Sequence, residues 1–65
     1  MTPTDLIAWR KHLGLSQIAA ARSLGMSPAG LRKLEKGESA IRKPIRLACA
    51  ALALGIQDYH GPTQN

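Results

Sequence analysis

Four of the six glycines in this chain decide what it can fold into, because each closes a short apolar-periodic run. Gly14, Gly25, Gly37 and Gly55 stand where a helix most readily ends, which limits every helix to a few turns. No segment alternates with period two, as a half-buried strand would. The chain is therefore expected to be all-α, a compact bundle of about four to five short helices.

The residues after the stops read as starts. Thr2 is an N-cap, Pro3 takes the first helical position, where its missing N–H costs nothing, and Asp5 returns as the capping-box acid. That helix runs to about His12, with Leu6, Trp9, Arg10 and Leu13 on one face. Ser16 caps a second helix whose apolar stripe is Ile18, Ala20, Ala21 and Leu24. Ser27 caps a third, with Pro28 first and Leu31 and Leu34 inward, separated from the second only by Gly25-Met26-Ser27. Glu38 to Lys43 reads as a polar loop, and Pro44 opens a fourth helix from about Ile45 to Leu54. Residues 1–56 form one domain on this reading, and 57–65, with Gly61 and Pro62, a short polar tail.

At 65 residues the chain hides only about 60% of its unfolded surface, so its stability is marginal. Cys49 is the only cysteine, which excludes a disulfide framework and a zinc cluster and leaves the core to apolar packing. His12 and His60 have no ligand-spaced partner, so no metal or cofactor is expected. Nor do two distant histidines, one cysteine and four acids assemble a catalytic group, so the chain is not expected to be an enzyme. The N-terminus lacks a signal-peptide pattern and no run approaches the ~18 apolar residues of a membrane span, so a soluble, cytoplasmic protein is expected. The net charge of +5 points to a polyanionic partner, nucleic acid before a membrane surface.

Two short helices joined by a glycine turn are common, but the version that lays its second helix in the DNA major groove makes steric demands. Ala21 supplies the small residue where the helices cross, Gly25 the positive φ of the turn, and Leu31 the side chain facing back. Ala20, Leu24 and Leu34 complete the lining, which places a helix-turn-helix at 17–36.

With Arg10, Leu13-Gly14-Leu15-Ser16-Gln17, Ala21, Leu24-Gly25, Ser27, Leu31, Leu34-Glu35-Lys36-Gly37 and Leu47-Ala48, the chain resembles the phage-repressor-like, Cro/C1-type helix-turn-helix family over about residues 4–54. The resemblance implies a lambda-repressor-like DNA-binding domain that binds double-stranded operator DNA as a dimer. It implies that Gln17, helped by Ser16, holds a phosphate, and that the third helix enters the major groove with Ser27, Ala29, Arg32, Lys33 and Lys36 outward. Arg32 is the leading base reader, since a guanidinium grips guanine O6 and N7 together. Pro28-Ala29-Gly30 favours contact with thymine methyls and close approach of the Gly30 backbone to DNA. Arg42 and Lys43, with Arg46 one turn on, are assigned to phosphates, Arg42 also to the minor groove. The resemblance further implies a partly buried structural ion pair between Arg10 and Glu35. Trp9, spaced with Leu6 and Leu13, belongs to the core.

The fourth helix has almost no polar face, so one apolar stripe closes the core and the other awaits cover. The resemblance turns Leu47, Ala48 and Ala51 inward, leaving Ile45, Cys49, Leu52 and Ile56 for a second subunit, with no small-molecule ligand and no membrane partner expected. The expected function is a homodimeric repressor or autoregulator of a phage or mobile-element operon at a palindromic operator. The rival is an antitoxin-like module that also binds a partner protein.

Overall fold

The structure, a computed structural model, describes residues 1–59, and four helices form among them: α1 Pro3–His12, α2 Gln17–Leu24, α3 Pro28–Glu35 and α4 Lys43–Ala53. No fifth helix is present among the described residues. His60, Gly61 and Pro62 lie outside them.

The first three helices start where a side chain replaces the missing backbone acceptor. Thr2 Oγ1 accepts from the Asp5 amide at 3.1 Å and Asp5 Oδ2 accepts from the Thr2 amide at 2.9 Å, a complete capping box. Ser16 Oγ accepts from the Ala19 amide at 3.1 Å and Ser27 Oγ from the Gly30 amide at 3.0 Å. Between the last two, Gly25 takes φ +72° and the Met26 amide donates to Ala21 O at 2.9 Å, so the chain reverses into α3 within one turn.

Leu6 of α1, Ala20 and Ala21 of α2, Leu31 and Leu34 of α3, Ile41 and Cys49 form the buried core, with Trp9, Leu15, Leu24, Met26 and Ile45 packed around it. The two alanines are fully buried, and a larger side chain at either would overpack the core around α2. Trp9 Nε1 donates to Cys49 O at 2.9 Å and ties α1 to α4 across the domain.

Three expectations need correction. Ile18 is 58% exposed and takes no part in the core. The buried face of α2 is the i, i+3, i+4, i+7 set Gln17, Ala20, Ala21 and Leu24, and Ile18 lies about 100° away from Gln17 around the helix. The fourth helix begins at Lys43, with Arg42 as a cap residue whose side chain makes no capping bond. Pro44 is thus its second residue, where the absent N–H is equally harmless.

The third correction moves Leu47 outward and Ile45 and Cys49 inward on α4. Cys49 is 1% exposed and Ile45 packs on the core, whereas Leu47 is 59% and Leu54 79% exposed. The cause is Ile41, which lies in the segment expected to be a polar loop but is buried. Ile45, Cys49 and Leu52 recur at helical spacing, and the buried Ile41, two residues ahead of the helix, anchors its start on the same core. Of the stripe assigned to a second subunit, Ile56 is exposed, Leu52 is half-buried, and Ile45 and Cys49 are not free to meet a partner.

Candidate nucleic-acid interface

Ala29, Arg32, Lys33 and Lys36 stand at i, i+3, i+4 and i+7 along α3 and its cap, and all four are exposed. Leu31 and Leu34, on the other side, are buried, so the helix divides into a packed half and a free half carrying one methyl and three cations. Its one acid, Glu35, is turned away from this face. No acid stands in the first turn of α2, α3 or α4; only α1 has one, Asp5. An acid there ordinarily stabilises a helix, so three helix starts keep an uncompensated positive end.

Glu35 joins three segments. Its Oε2 accepts from Arg10 Nε at 2.7 Å, and its Oε1 accepts from Arg10 Nη2 at 3.3 Å and from Gln17 Nε2 at 2.9 Å. Arg10 Nη1 also donates to Leu15 O at 3.2 Å. Burial pushes the Glu35 carboxyl up, but the hydrogen bonds from Arg10 and Gln17 and the charges of Arg10 and Lys11 outweigh it and hold the carboxyl below its ordinary value. The pair belongs to the fold and not to an exposed face.

Gln17, expected from the resemblance to hold a phosphate, is half-buried and gives one carboxamide N–H to Glu35. The pattern carried the signal, because Gln17 opens the same i, i+3, i+4, i+7 face as Ala20, Ala21 and Leu24. Ser16 is exposed and its hydroxyl caps α2, next to the amides of the first turn.

Gly30 is half-buried, and a Cβ built there would come within 3.2 Å of Met26 Cε and Ser27 Oγ, a tight fit within the start of the helix. Ser27 is exposed, and its Oγ holds the Gly30 amide. Arg42 and Lys43 are exposed at the start of α4. Arg46 Nη1 donates to Ile41 O at 3.0 Å, which commits that guanidinium in part to fixing the loop.

Away from these residues, Ile56 and Tyr59 are exposed beside an apolar groove of about 260 Å³, lined by Ser23, Ala48, Ala51, Leu52, Ile56 and Tyr59 among others. Among the described residues no cluster of metal-ligating side chains forms, and no helix is long and apolar enough to cross a membrane.

A model of a family described as helix-turn-helix matches residues 6–56, from within α1 to just past α4. No curated protein and no solved structure matches the chain.

Proposed function

We propose that this chain, which belongs to the helix-turn-helix family and is a DNA-binding transcription regulator, acts as a homodimeric repressor at a palindromic operator. The observation that carries the proposal is the free face of α3. Ala29, Arg32, Lys33 and Lys36 are all exposed to solvent, and a helix of this width fits the major groove. In this reading Arg32 and Lys33 meet base edges, while Lys36, Arg42 and Lys43 meet phosphates, with Ser16, Ser27 and the first-turn amides of α2. Occupying a promoter is sufficient for repression and needs no second domain.

A two-fold axis explains the exposed apolar side of α4. Leu47, Leu54 and Ile56 form the surface we assign to the second copy, in place of the stripe expected from sequence. Two copies place two α3 helices about one turn of DNA apart, which reads an inverted repeat and multiplies the specificity of one short helix. The antitoxin-like alternative draws on the same exposed residues, with a different protein covering them.

The test is binding of the purified protein to its own upstream DNA and to a scrambled duplex, at low and moderate salt. About three phosphates neutralised per protomer, by Lys36, Arg42 and Lys43, give a slope of log K against log salt near −5 for a dimer. Arg32→Ala is expected to lose most of the preference for the upstream DNA and to keep the salt dependence. Equal binding of both duplexes by the wild type overturns the repressor reading, and a stoichiometric second protein in place of self-association favours the alternative.

A further inference from the structure

The first turn of α3 is poor in hydrogen-bonding side chains, and what it presents instead is a methyl group. Ser27 Oγ is held by the Gly30 amide at 3.0 Å, and Pro28 has no N–H to offer. Position 30 is bare, and a Cβ there would be crowded at 3.2 Å by Met26 Cε and Ser27 Oγ. Of the first three helical residues only Ala29 is exposed, on one face with Arg32, Lys33 and Lys36. An acid at position 29 would strengthen the helix start but repel phosphates. Alanine does neither and leaves a small apolar knob beside the cations.

Resting on the reading of α3 as the helix in the major groove, we propose that Ala29 is a specificity residue that selects thymine through its 5-methyl group, next to a guanine held by Arg32 or Lys33. Thymine is the one standard base whose major-groove edge carries an apolar group, and an alanine side chain can do no more than cover it. Ala29 precedes Arg32 and Lys33 by about 4.5–6 Å of helix rise, which is about one to two base-pair steps. Each half-site therefore holds a thymine within about two base pairs of a guanine. The cations alone would select for guanine and leave the neighbouring pair unread, whereas the methyl contact extends the read sequence without another hydrogen bond.

The experiment begins with selection of a preferred site from a random duplex pool by the wild-type protein. Each thymine of that site is then replaced singly by uracil, which removes only the methyl, and binding is measured for wild type and Ala29→Gly. One thymine per half-site is expected at which uracil weakens the wild type about fourfold, the factor for one buried methyl, with no such loss in Ala29→Gly. 5-Bromouracil at that position is expected to crosslink to the tryptic peptide of residues 23–32, a measurement that needs no variant. A selected site with no methyl-dependent position, an equal loss in Ala29→Gly, or a crosslink to another peptide overturns the proposal and leaves the operator reading standing. A pool with no enriched sequence overturns both.

Discussion

Replacing Arg10 by methionine removes two of the three hydrogen bonds to Glu35 and leaves a carboxylate that is 6% exposed with only the Gln17 hydrogen bond. Breaking a buried pair from one side costs about 3–5 kcal/mol, and the 15% exposure of the Arg10 side chain places this one at the lower end, about 3 kcal/mol. A domain of this size holds about 3–10 kcal/mol in all, so Arg10→Met is expected to lower the melting temperature by more than about 10 °C. The double variant Arg10→Met with Glu35→Leu, which removes both charges, is expected to recover most of that loss. The pair also leaves a pH signature. The folded carboxyl lies below the ordinary value of 4.5, so the unfolded chain binds its proton more readily. The stabilisation is complete above pH 4.5 and disappears as pH falls through the folded value. Urea unfolding of wild type and Glu35→Gln between pH 6 and pH 3 isolates this group. Asp5, lowered by its hydrogen bonds with Thr2, titrates in both proteins and drops out of the difference. A loss below about 1 kcal/mol in Arg10→Met, or parallel pH profiles for wild type and Glu35→Gln, would refute the reasoning.

Ile41→Ala is expected to cost about 2–4 kcal/mol by urea unfolding, as for a core residue; a loss typical of an exposed loop contradicts its role as the anchor of α4. Leu47→Glu is expected to fold and sediment as a monomer, whereas Cys49→Glu unfolds the domain, and a Leu47→Glu dimer refutes the assigned face. Burial raises the Cys49 thiol above its ordinary value, so labelling by a disulfide reagent is expected to follow unfolding; labelling of the native protein within the mixing time contradicts its placement.

What could be read from the sequence was what neighbours in sequence determine. The starts at Thr2, Ser16 and Ser27 are bonds between a cap and an amide three residues on, and the stop at Gly25 is a single backbone angle. The outward face of α3 follows from helical spacing once Leu31 and Leu34 are taken as core. The phase of α4 did not follow, because the helix is anchored by Ile41, outside it, and by the bond from Trp9 to Cys49, whose partners are distant in sequence. Gln17 was missed for a different reason, since a polar residue at a helix start invites a solvent-facing role even when it lies on the packed face.

The free half of α3 separates what the protein recognises from what keeps it folded. Substitutions at exposed positions whose side chains make no capping bond and no buried contact usually shift stability by less than about 0.5 kcal/mol. Positions 29, 32, 33 and 36 can therefore exchange side chains, and a lineage can move from one operator to another, without passing through an unfolded intermediate. Position 30 is less free, because a Cβ there would crowd Met26 Cε and Ser27 Oγ at 3.2 Å. Changes of target should accordingly accumulate at the four outward positions while the Arg10, Gln17 and Glu35 cluster behind them stays as it is.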